Sequence, residues 1–176
     1  MRRGRAEQTP SPHRRILSAA RRLHRALVLG HGAPEDFYGA EALFTSSVRS
    51  QMEGILRLLR PYRKISPTLD IAGRAMAEAR KVLRALRADG EKGGFYAAVD
   101  AEGNVNQNLL RSLLEIDQEV GSKLLHLTQV TRKLKRRRSP ESISHSLTEV
   151  LGILSELKEV LTRRRCFTPT SVHQLK

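Results

Sequence analysis

The chain has 176 residues, no Trp, a single Cys and 4% aromatic residues, and its 32 Lys plus Arg outnumber 18 Asp plus Glu for a formal net charge of +14. One cysteine, Cys166, rules out an intramolecular disulfide and a cysteine-based metal site, and no apolar run approaches the roughly 18–20 residues of a membrane-spanning helix. Leu, Ile, Val, Ala and Met must build the core, which favours helix-on-helix packing in an all-α fold of one main domain, while the surplus of positive charge repels itself and favours an acidic partner.

Residues 1–12 hold three arginines and two prolines with no apolar repeat, and are expected to form a disordered basic tail. Between His13 and Leu29 the apolar positions Ile16, Ala19, Ala20, Leu23, Ala26 and Leu27 recur at helical spacing, with arginines at other angles. Gly30, His31 and Gly32 stop this amphipathic helix. Eight arginines and one acid in the first thirty residues also fit a mitochondrial targeting segment, an alternative that the early prolines and a second, internal basic run oppose.

Pro34, Glu35 and Asp36 supply a helix start, with proline tolerated in the first turn and acids complementing the positive helix end. The stripe Phe37, Phe44, Val48, Met52, Ile55 and Leu59 predicts a helix to Leu59, ended by Pro61. Ser66 and Pro67 read as the cap and first turn of a third helix with Leu69, Ala72, Met76, Ala79, Leu83 and Leu86 facing the core. Together these helices make an N-terminal segment, residues 13–88. Residues 89–104 contain four glycines and read as an ordered loop, with a short strand from Phe95 to Val99 as the alternative.

Residues 105–165 carry the clearest signal. Leu109, Leu113, Ile116, Val120, Leu127, Val130 and Leu134 follow a seven-residue grid with one flaw, Lys123. Ile143, Leu147, Val150, Leu154, Leu157 and Leu161 form a second grid spaced four, three, four, three, four. The basic turn between them, around Arg136 to Ser142, predicts an antiparallel, coiled-coil-like hairpin. Leu110, Leu114, Leu124, Leu151, Ile153 and Val160 widen both stripes, so the hairpin must meet further helices of this chain or of a partner. Residues 166–176 show no periodicity and are expected to be a disordered tail.

Arg132, Lys133, Lys135, Arg136, Arg137 and Arg138 place six cations in seven residues at the hairpin turn. One or two would offset the partial negative charge of a helix C-terminus. Six point to a nuclear import signal or a phosphate-contacting patch. Arg163, Arg164 and Arg165 repeat the theme at the far end of the hairpin. Five of the seven prolines follow Ser or Thr. Capping accounts for Ser66 and Ser139, which leaves Thr9, Ser11 and Thr168 as candidate sites for proline-directed phosphorylation.

Residues 100–106 carry oxygen ligands on alternate positions, yet lack the glycine and closing Glu of a calcium loop. The histidines have no metal spacing, and no phosphate-binding glycine loop, nucleophile elbow or carboxylate pair is present. No catalytic residue, metal or cofactor is therefore expected. The sequence favours a non-enzymatic interaction or scaffold subunit of a hetero-oligomeric helical complex, nuclear or cytoskeletal and centrosomal, with other helical proteins as partners and a basic surface for an acidic one. The alternatives are auxiliary, non-sequence-specific nucleic-acid binding, for which aromatic stacking residues are scarce, and mitochondrial assembly.

Overall fold

The computed structural model describes residues 11–86 and 93–167. Five α-helices carry the fold: α1 (Pro12–Leu29), α2 (Pro34–Leu59), α3 (Leu69–Ala85), α4 (Gln107–Arg136) and α5 (Pro140–Arg165). No helix is long and apolar enough to cross a membrane among the described residues. Local chemistry sets most helix ends. Ser11, Asn106 and Ser139 cap α1, α4 and α5, each accepting a backbone N–H from the first turn. Gly30 ends α1 in the left-handed conformation, φ 70°, and its N–H returns to the Ala26 carbonyl.

Three boundaries differ from the sequence reading. Ser66 opens a 3-10 turn (Ser66–Thr68), and α3 begins only at Leu69. Thr68 does not cap it; its hydroxyl donates instead to the carbonyls of Tyr62, at 2.7 Å, and Ile65, at 3.2 Å. Leu69 is accordingly half exposed rather than part of the core stripe. The stretch after the glycines is a 3-10 helix (Gly94–Ala98), followed by an antiparallel bridge between Val99 and Val105. The wholly buried Phe95 explains the order of this loop. Finally, Phe167 packs on the core and its carbonyl accepts the Gly94 N–H at 3.0 Å, so Cys166 and Phe167 belong to the fold, while the rest of the expected tail, 168–176, and residues 1–10 lie outside the described residues.

Side-chain ties fix the directions of the helices. Gln51 Nε2 on α2 donates to the Leu124 carbonyl, at 3.0 Å, and lies 3.2 Å from Thr128 Oγ1 on α4. Glu41 and Asp117, earlier on the same two helices, share one arginine, so α2 and α4 run parallel. Lys123 to Glu156 at 2.9 Å and Glu119 to Arg163 at 3.3 Å run in opposite order along α4 and α5, which are antiparallel and packed together. Lys123, the flaw in the heptad grid, is thus half-buried at the seam edge with its ammonium paired. α3 packs against α5, and α1 lies across α2 and α4.

Two apolar cores stack along the long helices. One joins the C-terminal halves of α2 and α4 to α3 and α5, with Met52, Leu59, Leu127, Leu134 and Leu154 in it. The other joins their N-terminal halves to α1 and the Gly94–Ala98 turn, around Leu23, Phe37, Phe95, Leu109 and Leu113. α1 buries Ile16, Ala19, Leu23 and Ala26 and is an integral wall of the fold. The physical drive is burial of apolar area, roughly 1.5–3 kcal/mol for each fully enclosed large side chain.

Candidate functional site

The two grids of the last third are consumed by the chain's own packing. Leu109, Leu113, Val120, Leu127, Leu134, Leu147, Val150, Leu154, Leu157 and Leu161 are buried, and Ile116 and Ile143 are partly buried against the first core. The flanking Leu110, Leu114, Leu124, Ile153 and Val160 are buried too, with Leu151 partly so. The wide stripes therefore meet helices α1 to α3 of the same chain.

The six cations at the turn behave oppositely. Arg132, Lys133, Lys135, Arg136, Arg137 and Arg138 are all exposed, and no carboxylate of the described residues lies within ion-pair distance of them. The connection between α4 and α5 is only residues 137–139, shorter than the sequence suggests, because both helices run nearly to the turn. Ser11 is exposed and serves as the α1 cap, 3.4 Å from the Arg14 N–H. Thr9 and Thr168 lie outside the described residues.

The arginine run at the end of α5 is not a uniform basic surface. Arg163 is exposed and pairs with Glu119, and Arg165 Nη1 donates to the Arg84 carbonyl at 2.9 Å. Arg164 is buried at the junction of the two cores. Its Nη1 and Nη2 reach the two Glu41 oxygens at 2.9 and 2.8 Å, and its Nε reaches Asp117 Oδ1 at 2.6 Å. The guanidinium lies 3.7 Å from the Phe44 ring centroid and 5.1 Å from that of Phe95. A planar fork with five donors is the one basic side chain able to span two carboxylates while stacking on a ring.

Glu41 also accepts the Phe95 N–H, at 3.1 Å, which ties the 3-10 turn to the same node. Gly94 makes this approach possible: with φ 55°, a side chain added there would stand 2.5 Å from Glu41 Oε1. One arginine thus joins α2, α4, α5 and the 94–98 turn. The sequence reading names Arg164 only as one of a basic run and does not single out Glu41 or Asp117, although a signal exists for two of the three. Glu41 falls on the α2 stripe between Phe37 and Phe44, and Arg164 continues the α5 grid three residues beyond Leu161. Charges standing in apolar register mark buried pairing.

Two carboxylates facing one guanidinium leave an excess of negative charge. Burial pushes the Asp117 carboxyl up to about 6, and the nearby Glu41 adds to the shift against the pull of Arg164. Burial by itself disfavours a charged Arg164, but the two carboxylates override it and hold the guanidinium above its ordinary value. A cleft of about 390 Å³ between α1 and α4, walled by Ile16, Leu17, Ala20 and Leu114 with Arg21 and Arg111, has Asp117 in its lining, although the Asp117 side chain itself is fully buried.

The sign of the resulting pH dependence is unusual for a carboxylate. The folded-state value of Asp117 lies above the ordinary 3.8, so the folded protein holds this proton more tightly than the unfolded chain between about pH 4 and 6. Its contribution is fully present below pH 4 and is lost as pH rises through 6, a swing on the order of 2–3 kcal/mol. Wild type is therefore expected to gain stability relative to Asp117→Asn as pH falls from 7 to 4 in urea titrations. Parallel stability curves for the two proteins would refute the assignment.

In the loop with alternating oxygen ligands, Asp100 Oδ1 accepts the N–H groups of Glu102, at 3.0 Å, and Asn104, at 2.9 Å, and Asn104 Nδ2 reaches Oδ2 at 3.1 Å. The hydrogen bond from Asn104, with the others, holds the Asp100 carboxyl below its usual value. These oxygens close the loop on itself. Among the described residues no group of three His, Cys, Asp or Glu side chains is placed to hold a metal ion.

Compared with known proteins, the chain matches no protein-family model, no curated protein and no solved structure. Its own geometry separates two polar features: a buried, paired node where the two cores meet, and an exposed basic end that has no carboxylate partner among the described residues.

Proposed function

We propose that the chain is a non-enzymatic binding subunit, which folds as a helical bundle and offers its basic end to an acidic partner within a larger assembly. One contrast carries the reading: the leucine grids are enclosed by the chain itself, whereas the six cations of the turn are exposed, with no carboxylate partner among the described residues. A protein built to associate through its heptad seams would leave an apolar stripe uncovered. Here the charged surface is what remains for a partner to meet.

The antiparallel, coiled-coil-like hairpin reading fits the opposed order of the α4–α5 ion pairs, and it makes the hairpin a support for the basic turn. Nuclear import through residues 132–138 is consistent with their exposure. A cleaved mitochondrial address is disfavoured, because removing α1 would strip Ile16, Leu23 and Ala26 from the core and leave its neighbours uncovered.

Changing Lys135, Arg136, Arg137 and Arg138 together to Ala is expected to leave the melting transition nearly unchanged, since exposed substitutions fall within about 0.5 kcal/mol each. Elution from heparin should move to clearly lower salt and the distribution of a fluorescent fusion in cells should shift. If retention and location both match wild type, the basic end has no partner and the proposal fails.

A further inference from the structure

Resting on that reading, we infer that the basic end is a composite of two distant chain segments and fits the phosphate backbone of a nucleic-acid duplex. The parallel register of α2 and α4 produces it. The Glu41–Arg164–Asp117 node and the Gln51 contacts with Leu124 and Thr128 align the two helices level by level. Carried forward along both, a similar offset sets Leu59 at about the level of Leu134, and both are wholly buried in one core. Tyr62 and Ile143 pack against that core as well.

The chain just past Leu59 is a 3-10 turn, Arg60–Lys64, and Arg60, Arg63 and Lys64 in it are exposed. They emerge at the same end of the bundle as Lys135, Arg136, Arg137 and Arg138. Neither residues 57–64 nor residues 132–139 contain an acid. The C-termini of α2 and α4 need only a cation or two each to offset their partial negative charge. The rest are surplus to that need, and among the described residues no carboxylate is paired with them.

Several observations favour duplex phosphate over other polyanions. The cations are spread across the tips of separate elements instead of converging on a pocket, which suits an extended ligand. Most are arginines, whose fork pairs with phosphate oxygens in a bidentate way. Single-strand binders add exposed aromatic platforms for base stacking; Tyr62, the aromatic residue of this turn, is partly buried against the core. The contacts are therefore to backbone, tolerant of sequence and steeply dependent on salt.

The test is fluorescence anisotropy of a labelled duplex of about 20 bp between roughly 50 and 200 mM salt, with polyglutamate as a second probe. Wild type is compared with Arg60→Ala/Arg63→Ala/Lys64→Ala, with the four-residue Ala variant of 135–138, and with Arg21→Ala/Arg22→Ala/Arg25→Ala on α1 as a control away from this end. Each variant is checked for wild-type helicity and melting, and single Arg63→Ala and Lys64→Ala proteins stand in should the triple variant melt early. Both end variants should bind at least about ten-fold more weakly and lose up to about 2.7 (three cations) or about 3.6 (four cations) from the log–log salt slope, at about 0.9 per phosphate contact, while the control keeps wild-type slope. Duplex binding that depends on 135–138 but ignores residues 60, 63 and 64, or that the control weakens equally, overturns the composite surface alone. Salt-dependent capture of polyglutamate without duplex binding overturns the nucleic-acid assignment and leaves the acidic-partner reading standing. Binding to neither probe overturns both.

Discussion

Arg164→Met is expected to destabilise the isolated protein by about 3–5 kcal/mol, because it leaves Glu41 and Asp117 enclosed without the charge that compensates them. For a chain of this size that corresponds to a fall in melting temperature of roughly 6–20 °C. The methionine roughly keeps the apolar volume over the Phe44 ring, so the loss reports charge pairing more than a cavity. Arg164→Lys should fall between the two proteins, since one ammonium cannot engage both carboxylates in the fork geometry that Nε, Nη1 and Nη2 adopt here. Calorimetry and urea unfolding measure the effect. A loss under about 1 kcal/mol for Arg164→Met, the size of an exposed ion pair, would show that the node is not enclosed.

Leu154→Asp is the second large effect. Leu154 is wholly buried in the core shared by α2, α3, α4 and α5. Truncating a core leucine costs about 2–5 kcal/mol through lost contacts and cavity, and a carboxylate without a partner adds several more. Their sum rivals the roughly 5–15 kcal/mol total stability of ordinary domains, so the variant is expected to be largely unfolded by circular dichroism at neutral pH. The defect should be present in the purified chain with no partner added. A variant that keeps wild-type helicity and melting alone, yet loses a binding partner, would mean that this position faces another protein.

These two residues also mark how far the sequence could be read. The helices of the last third were legible because leucines at three- and four-residue steps have one stable solution, burial on a helical face. Lys123 read as a flaw, and the structure supplies its remedy in Glu156 across the seam. In sequence Arg164 is one of three consecutive arginines that repeat the basic theme of the turn, and nothing in the run itself separates it from Arg163 and Arg165, which the fold leaves exposed. Local composition averages over a helix turn, whereas burial is decided residue by residue through the 100° step between them.

The same limit applies at the basic end. Residues 132–138 stand out as a run, but Arg60, Arg63 and Lys64 look like ordinary loop cations until the parallel register of α2 and α4 brings both segments to one end of the bundle.

By itself, the amino-acid order determined an all-helical chain, the places where most helices begin and stop, the leucine ridges and the strong positive imbalance, since each follows from residue type and spacing along the backbone. Only the three-dimensional arrangement decided that those ridges close on one another, that one of three consecutive arginines is sealed between two acids, and that two remote basic segments lie toward one end of the bundle. Such pairings join residues tens to more than a hundred positions apart, and their energies depend on distance through space and on exclusion of water, quantities that spacing along the chain does not encode.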